Sequence, residues 1–94
     1  MNDISIRPSN TEDLNLYIEL NQDLELSRLM GIMWPESDIQ LEKDFRYYLD
    51  TPSNKMFTVI FRDKKIGIIE LLHIDYQART ANIASYLKPL FMNY

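Results

Sequence analysis

The chain has 94 residues, a net charge of −4, 46% apolar and 26% charged residues, one histidine and no cysteine. That balance fits a single globular domain over residues 1–94; it excludes disulfides and thiol chemistry and removes the usual metal ligands, so no metal site is expected. An acidic chain also argues against a nucleic-acid binder held by phosphate contacts. No run of about 18 apolar residues occurs. The opening MNDISIRPS lacks the basic and apolar regions of a secretion signal. The expectation is a cytoplasmic protein with no membrane partner.

Residues 4–7, ISIR, alternate and stop at Pro8, which predicts a short strand. Asn10 or Thr11 then caps a helix, with Glu12 and Asp13 in the first turn where the helix dipole favours acids. Leu14, Tyr17 and Ile18 form its apolar stripe, and the helix runs to about Gln22. Residues 24–34 are rich in Leu and Met but are interrupted by Gly31. They read as a loop or a broken helical turn with buried side chains. Pro35 separates them from a second helix, for which Ser37 and Gln40 fit a capping box. Leu41, Phe45, Tyr48 and Leu49 give that helix its apolar face, and Asp50-Thr-Pro-Ser-Asn ends it.

Residues 56–62, MFTVIFR, predict a strand, Asp63 and Lys64 a turn, and 66–75, IGIIELLHID, a second strand. The second is apolar on both faces and is expected at the centre of a sheet. Residues 76–79 form a loop, and TANIASYL, 80–87, a third strand. The order is β-α-α-β-β-β, an α+β fold with a mainly antiparallel sheet.

Charge divides unevenly along this order. Residues 8–50 carry ten acids against three bases, whereas 62–94 carry five bases against three acids. The acidic helical half is either a solvated surface or a wall that attracts a cationic substrate. The two glycines, Gly31 and Gly67, are too few and too far apart for a phosphate-cradling loop within the chain.

ISIRPSNTEDL, FRDKKIGIIELLHID and NIASYLKP, taken together, resemble the N-terminal half of the GNAT superfamily of acetyl-coenzyme A-dependent N-acetyltransferases. IGIIELLHID followed by an Arg79-containing loop resembles most the branch with spermidine and ribosomal-protein acetyltransferases. The resemblance implies a GNAT-like fold, acetyl-CoA as cofactor and a primary amine as acceptor, a polyamine or a protein N-terminus. It implies that backbone groups of Ser85, Tyr86 and Leu87 line the cofactor's pantetheine arm, with an ordinary edge strand as the alternative. Placing Pro89 on the family's proline puts Met92 where the family has Gln or Arg at the start of its Gln/Arg-x-x-Gly-x-Gly/Ala loop. The loop's first glycine then falls after Tyr94. The resemblance therefore implies a chain truncated before the coenzyme A loop, with little activity and weak cofactor binding by itself.

Within that frame Glu70 is the candidate catalytic residue. Strand alternation puts it on the face of Ile68 and Leu72, and a carboxylate among apolar neighbours has a raised pKa. That suits a general base acting through water. Acetyl transfer needs one, because an alkylamine of pKa about 10.4 is only about one part in a thousand neutral near pH 7.4. The alternative is an ion pair with Arg79 or Lys88, or exposure at the sheet edge. His73 is expected on the opposite face as a structural residue. Tyr47 and Tyr48 are core residues or wall a substrate pocket with their hydroxyls. Trp34, with Met30 and Met33, is core or an apolar flap over a substrate. Strand 80–87 leaves an apolar face and an edge uncovered, which predicts a homodimer or larger assembly. A non-enzymatic, self-associating GNAT remnant is the rival reading, and an unrelated small ligand-binding domain is a third.

Overall fold

The computed structural model describes residues 3–29 and 36–88. Strand β1 (Ile4–Pro8) leads through a 3-10 turn (Thr11–Asp13) into helix α1 (Leu14–Gln22). A six-residue helix α2 (Leu24–Leu29) follows, so the first half of the ambiguous 24–34 stretch is helical. Trp34, Met30 and Met33 lie outside the described residues. Helix α3 (Asp38–Asp50) precedes strands β2 (Lys55–Phe61), β3 (Lys64–Asp75) and β4 (Thr80–Leu87). The four strands form one antiparallel sheet in the order β1-β2-β3-β4. β3 sits inside it, as its two apolar faces require.

The caps differ from expectation in an instructive way. The reciprocal capping box forms at Asn10 and Asp13, where each side chain accepts a backbone N–H of the other's turn. At Ser37 only half of it forms. Ser37 Oγ accepts the Gln40 N–H at 3.2 Å, but the Gln40 side chain donates to Asp44, one turn on, at 2.9 Å.

The β2–β3 turn is Arg62-Asp63, one residue earlier than expected. Both residues have positive φ, 49° and 66°, the signature of a two-residue turn matched to strand twist. β3 then outruns β2. Between Leu72 and Asp75 its register slips, and His73 takes φ 54°. The buried Asn54 side chain accepts the His73 N–H at 3.0 Å, and Ile74 N–H bonds Ser53 O at 2.8 Å. The connection after α3 is thereby pinned to the end of the central strand.

One face of the sheet carries Met56, Ile68 and Tyr86, and the helices pack there. Leu16, Tyr17, Leu20, Leu26, Leu41 and Phe45 complete this core. Each large apolar side chain so buried stabilises the fold by about 1.5–3 kcal/mol. The opposite face shows Ile4, Ile6 and Ile83 to solvent.

Candidate active site

Two carboxylates are buried in the described structure, and they lie in different surroundings. Asp13 is fully buried beneath the start of α1. Arg7, reaching from β1, donates to both its oxygens at 2.8 and 2.9 Å. Lys65 Nζ, from β3, lies 2.8 Å from Oδ1, and the Asn10 N–H donates at 2.9 Å. The Thr58 hydroxyl adds a further bond and itself pairs with Ser9 Oγ at 2.7 Å. Burial pushes this carboxyl up, but the donors from Arg7, Lys65, Asn10 and Thr58 outweigh it and hold it well below the usual carboxylate range. The cluster fastens β1, β2, β3 and α1 at one point. Sequence reading took Asp13 only as a first-turn acid, and no local pattern announces its partners at residues 7, 58 and 65.

Glu70 is 2% exposed, at the middle of β3. The register sets Met56 on one side of it and Ala84 on the other. Tyr86, opposite Ile68, is the diagonal neighbour on the same face, and its hydroxyl hydrogen-bonds the carboxylate. Tyr17 from α1 and Tyr48 from α3 lie within electrostatic reach of Glu70. Tyr17 is fixed by its ring contact with Phe45, 5.1 Å between centroids. Burial raises the Glu70 pKa, and the Tyr86 bond offsets only part of that rise. Burial first, and the Glu70 charge second, push the Tyr17, Tyr48 and Tyr86 phenols up in turn. The phenols stay protonated around one carboxylate of high proton affinity, with the Tyr86 hydroxyl bonded to it. Such an arrangement can accept a proton at Glu70 and carry one through Tyr86.

A cleft of about 410 Å³ opens beside this cluster, with Tyr48, Met56, Pro8, Asp50 and Asn54 among its walls. Tyr48 and Met56 thus face the cleft on one side and the surroundings of Glu70 on the other. Neither base considered for Glu70 pairs with it among the described ion pairs, and Lys88 bridges to Glu19 at 3.1 Å. Tyr47 and Tyr48 part company: Tyr47 is 62% exposed, while Tyr48 is half-buried against the core. His73 is exposed on its bulge. Among the described residues no three His, Asp or Glu side chains gather as metal ligands. No described helix is long and apolar enough to cross a membrane.

The three residues at the end of β4 divide by backbone direction. Lys88 N–H bonds Ile66 O at 2.8 Å, so Tyr86, Ala84 and Asn82 share that phase and point their N–H and C=O groups at β3. Ser85 and Leu87 point theirs outward. Tyr86 enters the site through its side chain, a role that strand position alone did not suggest.

No family model matches the sequence, and no curated protein matches it. Solved structures do. A spermidine N-acetyltransferase from Vibrio cholerae, in complex with CoA and spermine, superposes with a TM-score of 0.83 at 22% identity, over 98% of this chain and 55% of that one. The fold is GNAT-like and matches about half of that acetyltransferase chain. A dodecameric form of the Vibrio cholerae spermidine N-acetyltransferase gives 0.73 at 20% identity, over 98% and 54%. A manganese complex of the spermidine/spermine N-acetyltransferase of that organism gives 0.70 at 21%, over 96% and 51%. The chain spans about half the length of the GNAT structures it matches. In this GNAT half-fold Glu70 occupies the central strand.

Proposed function

We propose that this chain is the N-terminal part of an acetyl-CoA-dependent N-acetyltransferase acting on a primary amine, a small cation of the polyamine kind. The observation that carries the reading is the buried Glu70 carboxylate, ringed by tyrosines on the central strand of a GNAT-type fold. Glu70 is the base that takes the proton an attacking ammonium must lose. It lies too deep to touch the amine. The Tyr86 hydroxyl, bonded to it and half-buried, gives its proton to Glu70 as it receives the amine's. Tyr48 and Asp50 line the neighbouring cleft and suit a cationic chain. Acidic residues of the helical half draw the cation in; Asp44 and Glu36 bear on Tyr48.

Acetyl-CoA, when bound, supplies the thioester whose acyl carbon bonds to the amine nitrogen as the carbon–sulfur bond breaks. The outward backbone groups of Ser85 and Leu87 fit an amide-bearing arm lying along β4, with Tyr86 between them facing Glu70. The chain has about half the length of the enzymes whose fold it shares, which supports a further expectation. These 94 residues hold acetyl-CoA weakly and transfer little or no acetyl group alone.

The test mixes the purified chain with acetyl-CoA and spermidine and follows free thiol, while NMR follows spermidine binding alone. The expected result is no thiol above the buffer rate. Spermidine is expected to shift the Tyr48 and Tyr86 resonances, with affinity at least about tenfold weaker in Glu70→Gln. Thiol release at an enzymatic rate overturns the inactivity, and resonances that ignore spermidine overturn the amine assignment. A second reading, a non-enzymatic self-associating remnant, is favoured by the solvent-facing apolar side of the sheet, where Ile83 is 73% exposed.

A further inference from the structure

The cleft beside Glu70 has two walls that meet in one short turn. Tyr48, Leu49 and Asp50, at the end of α3, form one wall; Pro8, Ser9 and Met56 line the other, from the side of β1 and β2. Residues 51–54 join the walls. This turn is closed on itself and on α3. Thr51 bonds Tyr47 O through its N–H at 3.0 Å and its hydroxyl at 2.7 Å, and Asn54 N–H donates to Thr51 O at 3.0 Å. The hydrogen bonds described for the turn that reach further both come from the bulge of β3. His73 N–H donates to Asn54 Oδ1 at 3.0 Å, and Ile74 N–H to Ser53 O at 2.8 Å. The bulge is a one-residue insertion: Leu72 faces Asn82 and Asp75 faces Thr80, so His73 and Ile74 together oppose Ala81. Such an insertion takes a backbone N–H out of the ladder, and His73 also holds φ 54°, which residues other than glycine seldom adopt. Asn54 is 6% exposed, and because an N–H can only donate, its amide oxygen must face β3.

We propose that Asn54 is a positioning residue for the cleft: through the His73 N–H it fixes the α3 wall relative to the strand that carries Glu70. The inference rests on the reading of the cleft as the amine site. Asn54 gives the His73 N–H the acceptor that the bulge removes, and in return the turn is anchored to β3 just beyond Glu70. An amine chain that touches Tyr48 and Asp50 on one wall and Met56 on the other fits one spacing of the walls. A turn released from β3 visits other spacings, and the fraction of molecules ready to bind falls. The anchor is a backbone N–H, so the exposed His73 side chain takes no part in it. Linkage makes the effect reciprocal: a clamp that favours the amine is favoured by the amine to the same degree. An Asn54 that served stability alone behaves otherwise. Its loss would weaken the fold and leave amine binding by the folded chain unchanged.

The test follows spermidine binding by NMR at the Tyr48 resonances, with urea unfolding in parallel. Asn54→Leu keeps the branch at Cγ and removes the acceptor; its affinity for spermidine is expected to fall about tenfold. Ser37→Ala removes the hydroxyl that caps the far end of α3, so it lowers stability and is expected to bind spermidine as wild type does. Wild type supplies a second readout, which stands even where Asn54→Leu fails to fold. Saturating spermidine is expected to slow hydrogen exchange of the His73 and Ile74 amides about tenfold. The Arg62 amide, bonded to Asp3 O away from the cleft, is expected to exchange as before. Spermidine that leaves wild-type Tyr48 unmoved overturns the amine reading and this inference with it. The role of Asn54 alone is overturned, and the amine reading kept, by three outcomes: Tyr48 shifts while His73 and Ile74 exchange at their free rates, folded Asn54→Leu binds spermidine as tightly as wild type, or Ser37→Ala loses as much affinity as Asn54→Leu.

Discussion

Asp13 and Glu70 are equally hidden from water, and their proton affinities move in opposite directions. Burial raises both. What separates them is the count and charge of donors. Asp13 has two cations, a backbone N–H and a hydroxyl; for Glu70 the one bond that lowers its pKa comes from a tyrosine. A carboxylate so fully paired cannot easily exchange a proton, and its geometry depends on being charged. A carboxylate in an apolar, phenol-lined site is poised to take one. The comparison gives Asp13 to holding the fold and leaves Glu70 as the candidate for the proposed chemistry. It also warns that burial of an acid does not by itself mark a site.

The largest expected effect is on the structural side. Asp13→Ala leaves Arg7 and Lys65, each about one-third exposed, without a counter-charge and the Asn10 N–H and Thr58 hydroxyl without their acceptor, a loss of about 3 kcal/mol, the upper end for polar groups left unpaired. A domain of this size holds about 5–15 kcal/mol in all, so the variant is expected to be largely unfolded in urea concentrations where wild type is intact. The two acids also set opposite pH slopes. Asp13 has a depressed folded pKa, so its contribution is complete above its unfolded value of about 3.9 and is lost as pH falls through the folded value. Glu70 has a raised folded pKa. Its contribution is complete below about pH 4.3 and is lost as pH rises through the folded value. Asp13→Asn should therefore flatten the acid limb of stability, leaving the limb above pH 4.3 in place.

Gly67→Ala tests the scaffold beneath Glu70. A Cβ there would lie 2.5 Å from both the Tyr86 carbonyl oxygen and Leu87 Cδ2. One of these contacts is backbone, so β4 must move, at about 1–3 kcal/mol. If β4 carries Tyr86 away from Glu70, the Tyr86 signal in the spermidine titration is expected to weaken together with stability. Glu70→Gln goes the other way. Removing a charge that burial disfavours is expected to raise stability above the titration of Glu70 and to leave it unchanged at pH 4, read as the shift of the urea midpoint. A variant less stable at both pH values would mean that the Glu70 charge holds the fold, as that of Asp13 does.

The fold was largely legible because its signals are local. The strands at 4–7, 56–62 and 80–87 and the two amphipathic helices follow from alternation, stripe and cap, and β3 was placed at the centre by its two apolar faces. The turn at Arg62-Asp63 was displaced because neither residue is the glycine or asparagine that positive φ favours. The bulge at His73 was hidden because it depends on Asn54, nineteen residues away. Glu70 was visible as an acid in an apolar run, but its cluster was not. Tyr17 read as helix core, Tyr48 as core or the wall of a substrate pocket, and Tyr86 as backbone beside a cofactor. Only the β3–β4 register and the packing of both helices on one face bring the three hydroxyl-bearing rings to Glu70.

The smallest effect is the most telling for the comparison. Tyr86→Phe keeps the ring and its packing against the core and removes one hydroxyl. Its loss should lower stability by about 1 kcal/mol, the net worth of a hydrogen bond. Its consequence for titration has a definite direction. The Tyr86 bond is the influence that lowers the Glu70 pKa against burial, so without it the Glu70 midpoint must rise further. The measurement is the carboxyl carbon shift of Glu70 against pH by NMR, in wild type and variant. The same substitution leaves the Asp13 midpoint where it was, because Arg7, Lys65, Asn10 and Thr58 remain in place. A Glu70 midpoint that stays put or falls in Tyr86→Phe would show that another donor holds the carboxylate. Tyr86 would then lose its place as the relay between Glu70 and the cleft beside Tyr48.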